Sequence, residues 1–108
     1  MNADKPKASA DWLRSKVLGS FADDYEDLEM IQNVVADFAE EEELTIDPAD
    51  VVKMIQQLIS EGHAKAYSFE RLPMNQPVVV EFQPNASEHL YFYVTDSGKK
   101  LVQNAFHV

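Results

Sequence analysis

The spacing of apolar residues changes once along this chain, at Gly62, and that change fixes the fold class. Before it, Leu28, Ile31, Val34, Val35 and Phe38 recur at intervals of three and four, and so do Val51, Val52, Ile55, Leu58 and Ile59. Such spacing places an apolar stripe along one side of an α-helix. After it, residues 63–70, 78–82 and 90–95 are rich in β-branched and aromatic side chains, the composition of strands. Helices first and strands second imply an α+β domain rather than an alternating one. At 108 residues the chain suits one domain, because two separate cores would be too small to stand alone.

Start and stop signals divide the chain further. Residues 1–9 have no periodicity and read as a flexible tail before a single domain over residues 10–108. Ser9 is a candidate N-cap for a first helix carrying Trp12, Leu13, Val17 and Phe21 and ending near residue 22. Asp23 and Glu26 fit a capping box for a second helix over residues 24–42. The acidic run at 40–43 opposes the dipole at a helix C-terminus, so that helix should end near Glu41. Leu44-Thr45-Ile46 suits a stub of strand. Asp47-Pro48 opens a third helix over residues 48–61, and Gly62 follows as its C-terminal glycine. Thr95 or Asp96 then caps a short C-terminal helix containing Leu101 and Val102, with Gly98 weakening its first turn. The predicted core is Trp12, Leu28, Ile31, Val35, Phe38, Val51, Ile55, Leu58, Ile59, Phe92, Val94 and Leu101.

Three segments carry a family likeness. Residues 47–62, with Leu58-Ile59-Ser60-Glu61-Gly62 leaving the third helix, are followed by a strand at 63–69. Tyr93-Val94-Thr95-Asp96-Ser97-Gly98 then turns from the last strand into a closing helix. Over roughly residues 11–105 this pattern resembles the winged helix-turn-helix superfamily, in the form of small bacterial regulators. The resemblance implies a three-helix core, a small antiparallel sheet forming a wing, and a short C-terminal helix. It also implies that residues 48–61 are the helix that would enter a DNA groove. The chain departs from the family in its long connection over residues 71–89.

Charge decides between the functions that such a fold supports. Residues 17–52 hold twelve acids and no Lys or Arg, so nearly all of the net charge of -10 sits in one third of the chain. The outward face of the third helix offers Lys53, Gln56 and Gln57. Gln is able to read adenine edges and Lys to hold a phosphate. With Lys65 and Arg71 from the wing, these are the residues of a DNA-binding transcriptional regulator. That set is sparse against the roughly six to ten phosphate contacts of a strong binder, and the preceding helix is acidic. The favoured expectation is instead a non-catalytic regulatory module working through protein–protein contact or self-association. Its candidate surfaces are the acids Asp27, Glu29, Asp37, Glu40 and Glu41 and the strand tyrosines Tyr91 and Tyr93. Leu90, Phe92 and Val94 share one face of the last strand and the two tyrosines the other, so both faces should be covered, the second by the 71–89 connection or by a homodimer partner.

The sequence gives little support to catalysis. There is no Cys, so disulfides, thiolate metal sites and thiol nucleophiles are excluded. The three glycines stand alone, without a phosphate-binding loop. His63, His89 and His107 are far apart, and four consecutive acids on a helix point in different directions. No enzyme activity, metal or cofactor is therefore expected. The N-terminus lacks an apolar signal-peptide core and no apolar stretch is long enough to span a bilayer, so the expected location is cytoplasmic.

Overall fold

A computed structural model of the protein describes residues 5–68, 78–82 and 90–106. The elements run α1 (Ala10–Ser20), β1 (Glu26–Asp27), α2 (Leu28–Glu41), α3 (Pro48–Ser60), β2 (Ala64–Ser68), β3 (Val78–Val80), β4 (Leu90–Val94) and α4 (Asp96–Phe106). The strands form one antiparallel sheet in the order β1-β4-β2-β3. The architecture is α+β: four helices and a small antiparallel sheet.

The caps explain most boundaries. The Ser9 hydroxyl accepts from the Trp12 backbone amide at 3.1 Å and starts α1. Asp47 accepts from the Ala49 amide at 2.9 Å ahead of Pro48 and starts α3. Gly62, at φ +83°, lets the chain leave α3 in the left-handed region that other residues resist. Thr95 caps α4, its hydroxyl accepting from the Gly98 amide at 3.2 Å.

The second helix differs from its sequence-based reading. It begins at Leu28 rather than residue 24, because Glu26–Asp27 pairs with Tyr91–Phe92 as β1. The cap is Asp27, which accepts from the Met30 amide at 2.8 Å, and not Asp23. The ladder to β4 takes the backbone groups that an earlier helical turn would have used. At the other end α2 stops at Glu41 as its acidic run implies. Leu44 N then donates to Ala39 O at 2.8 Å while Glu43 takes a positive φ of 56°. That closing geometry usually carries glycine at the left-handed position.

The N-terminal segment is also better held than its composition suggests. Thr45 N donates to Pro6 O and Ala8 N to Thr45 O, both at 2.9 Å, and Lys7 bridges in parallel to Thr45. Residues 5–9 thus lie along the stub expected at 44–46.

The core is built from Leu13, Val17, Leu18 and Phe21 of the α1 region, Ile31 and Val35 of α2, Val51, Met54, Ile55 and Leu58 of α3, and Ala64, Ala66, Phe92 and Val94 of the sheet. Phe38 is a correction: it is 38% exposed, because the inward line of α2 runs Ile31, Val35, Ala39. Trp12 is only half-buried. Together with Phe38 it flanks the Lys16 ammonium, which lies 4.5 Å from the Phe38 ring centre and 5.9 Å from that of Trp12. The Trp12 indole donates to Glu42 Oε1 at 3.0 Å. Leu28, Ile59 and Leu101 pack against the core from its margin.

Candidate interaction surface

The pleat of the sheet sorts its residues into two faces. Ala64, Ala66, Phe92 and Val94 point inward and are buried. The opposite face takes the alternate positions. In register across the strands it reads Asp27, Tyr91, Tyr67, Val79, and one step along, Tyr93 beside Lys65. Tyr25, just before β1, joins the same face: its ring stacks on Tyr93 at 4.7 Å between centroids and meets Tyr67 edge-on at 5.1 Å. All four tyrosines of the chain therefore gather on one face. Each is half-buried, Lys65 is exposed, and Val79 is 55% exposed.

Strand alternation implies that the Tyr91 and Tyr93 side is covered. Part of the cover comes from the chain itself, through Tyr25. The sequence does not single out Tyr25, because the helical apolar spacing places it in the first turn of a helix over residues 24–42. The alternation Tyr25-Glu26-Asp27 was the available signal. Residues 71–77 and 83–89, the rest of the connection expected to help, lie outside the described residues.

Electrostatics around the face follow from its neighbours. Lys99 Nζ sits 5.3 Å over the Tyr93 ring, and the hydrogen bond to Tyr93 raises the pKa of its ammonium above the ordinary lysine value. Desolvation raises the Tyr67 phenol, helped by Tyr25 and Tyr93. On the inward side of β1, desolvation raises the Glu26 carboxyl, with Asp24 and Asp27 adding like-charge repulsion. Beside Tyr93, a recess of about 290 Å³ opens between the end of α1 and α4, lined by Ala22, Asp23, Lys99 and Val102.

The acidic candidates do not form one site. Asp27 lies on the tyrosine face. Glu29, Asp37, Glu40 and Glu41 are exposed along α2, and Glu41 stands about 20 Å down the helix from its start.

The candidate DNA contacts divide similarly. Lys53, Gln56 and Gln57 are exposed on α3, whereas Lys65 belongs to the tyrosine face, and Arg71 lies outside the described residues. The α3 surface is not purely basic or free. Asp50 shares its recess of about 340 Å³ with Lys53, Gln57 and Lys7, and Lys7 pairs with Asp50 at 3.1 Å. Gln57 Nε2 donates to Glu61 at 3.1 Å. Arg14 pairs with Glu61 at 2.6 Å and Lys16 with Glu42 at 3.7 Å. The hydrogen bond from Arg14 is the main reason the Glu61 carboxyl titrates below the usual range. Three bases of the N-terminal region thus serve to neutralise the protein's own acids.

One side-chain cluster was not foreseen. His63 Nδ1 lies 2.7 Å from Ser97 Oγ, and His63 Nε2 lies 3.9 Å from Glu61. Ser97 Oγ also reaches Gly62 O and Thr95 Oγ1, each at 3.2 Å, and Thr95 Oγ1 donates to Gly62 O at 2.7 Å. These groups tie the α3–β2 turn to the start of α4. Among the described residues, no group of three His, Cys, Asp or Glu side chains is placed to hold a metal ion, and no helix is long and apolar enough to cross a membrane.

In comparisons with protein-family models, curated proteins and solved structures, nothing matches this chain.

Proposed function

We propose that this chain is a non-catalytic winged-helix module that docks a protein, rather than DNA, on the tyrosine face of its sheet. The observation that carries the reading is the convergence of Tyr25, Tyr67, Tyr91 and Tyr93 on the sheet face opposite the buried Ala66 and Phe92. Tyrosine is enriched at protein interfaces because it offers a large rigid apolar body with a polar tip. The winged-helix part rests on the order of elements and on β1 closing the sheet against β4, which in turn pairs with β2.

Charge supports a protein partner over a nucleic acid. Lys7, Arg14 and Lys16 are each paired with an acid, and Asp50 and Glu61 flank the outward side of α3. Phosphate contacts supply most of the sequence-independent affinity for DNA, and such a surface provides few. The test is an NMR or fluorescence titration with mixed-sequence duplex and single-stranded oligonucleotides at about 50 mM salt, a condition that favours phosphate contacts. No saturable binding is expected. Strong, salt-dependent binding that Lys53→Glu abolishes would overturn the reading in favour of a DNA-binding regulator.

A further inference from the structure

We infer that α2 carries a further docking surface, an exposed apolar row bordered by acids, and that its occupant is a basic amphipathic helix of another protein. Nothing in it depends on the tyrosine face.

The row departs from the pattern of an ordinary surface helix, whose outward positions are polar. Among the described residues three large apolar side chains are exposed, and two of them, Met30 at 46% and Phe38 at 38%, stand on α2. Val34, half-buried, lies between them. Spacings of four residues set the three side chains on one side of the helix, in a row about 12 Å long. They are not the core line of α2, which runs Ile31, Val35 and Ala39. Successive helical residues are about 100° apart, so the row runs beside that line and turns outward from it. From α1, the Lys16 ammonium covers part of the Phe38 ring and leaves more than a third of the residue open.

Charge selects the occupant. Three residues on from Met30, Val34 and Phe38 stand Asn33, Asp37 and Glu41, so a polar row borders the apolar one. Glu29 and Glu40 lie beyond it. The carboxylates of Glu29, Asp37, Glu40 and Glu41 are exposed and have no ion pair or hydrogen bond among the described residues. A nucleic acid or an anionic lipid surface would be repelled by them. A helix with apolar residues at three- and four-residue spacing and Lys or Arg along their edge matches both rows at once, the mode in which amphipathic helices dock.

The probe is a synthetic peptide of Leu and Lys, about five helical turns long, with Leu at three- and four-residue spacing. Titrated into the isotope-labelled full chain, it should move the amide shifts along α2 from Met30 to Glu41 and saturate with a Kd of about 10–100 µM. Trp12 is the one tryptophan and shares Lys16 with Phe38, so its emission should change in step. A peptide of the same composition with scrambled spacing, and one with Glu in place of Lys, should each bind about tenfold more weakly or worse. Met30→Ser should weaken binding about fivefold and Asp37→Lys about tenfold. Both positions are exposed, and circular dichroism checks that each variant is folded. Equal binding of the scrambled peptide, indifference to both substitutions, or no binding up to about 1 mM overturns the inference. Shifts gathered on the tyrosine face in place of α2 overturn it as well, and leave the tyrosine-face reading standing. Concentration-dependent shifts on α2 without peptide would give the surface to a second copy and overturn the choice of partner.

Discussion

Replacing Phe92 by Ala should cost about 3–5 kcal/mol of stability, the usual penalty for deleting a buried aromatic ring. Phe92 has no solvent exposure and sits where the helices meet the sheet. Its ring lies 5.0 Å from that of Phe82 in an edge-on arrangement and 6.4 Å from that of Phe21. Its backbone is opposite Ala66 on one side and Glu26 on the other, so it pins both neighbouring strands. Ala66, its neighbour on the same face of β2, is too small to fill the space. A domain of this size is stable by only about 5–15 kcal/mol, so the variant approaches the unfolding threshold. Calorimetry should show the melting temperature falling by about 12–40 °C, at roughly 4–8 °C per kcal/mol. A fall of only a few degrees would mean that Phe92 is not central to the core.

The second large effect is Gly98→Ala, and its sign is opposite to what helix propensity gives. Gly98 is in the first turn of α4, where Ala is intrinsically better by about 1 kcal/mol. A Cβ there would collide with the backbone oxygen of His63 and stand 3.1 Å from the Val94 Cβ. The obstacle is backbone, already held as the acceptor for Thr95 N at 3.0 Å, and cannot rotate away. The substitution must push α4 off the α3–β2 turn and disturb the Thr95, Ser97 and Gly62 contacts. Overpacking of this kind costs about 1–3 kcal/mol, enough to outweigh the propensity gain. Gly19→Ala is the internal control. Nothing lies within 4 Å of a Cβ at that helical position, so it should stabilise by about 0.5–1 kcal/mol. Denaturant midpoints of the two variants should therefore move in opposite directions. Shifts of the same sign would contradict the close approach at Gly98.

The contrast at Gly98 also shows what the sequence carries and what it does not. Local signals were legible: Ser9, Asp47-Pro48, Gly62 and Thr95 each fix a boundary by a bond or dihedral within a few residues. Features set by distant partners were not. Glu26–Asp27 has the composition of a helix start, and only pairing with β4 makes it a strand. That one ladder moves the cap of α2 to Asp27 and brings Tyr25 onto the tyrosine face. Phe38 fits the apolar period of α2, yet its neighbour Ala39 is the buried residue, because α1 presents Lys16 rather than a cavity to Phe38. Of the candidate site, Tyr91 and Tyr93 were readable from strand alternation. The grouping with Tyr25 and Tyr67 depends on strand order.

The proposed docking surface is the tyrosine face of the sheet rather than α3. Amide chemical shifts of the isotope-labelled protein, followed as its concentration is raised through the weak-association range of about 10 µM to about 1 mM, test it residue by residue. Shifts are expected at Tyr25, Lys65, Tyr67, Tyr93 and Lys99, with Lys53, Gln56 and Gln57 unmoved. Changes confined to the α3 residues, with the tyrosine face silent, would contradict it.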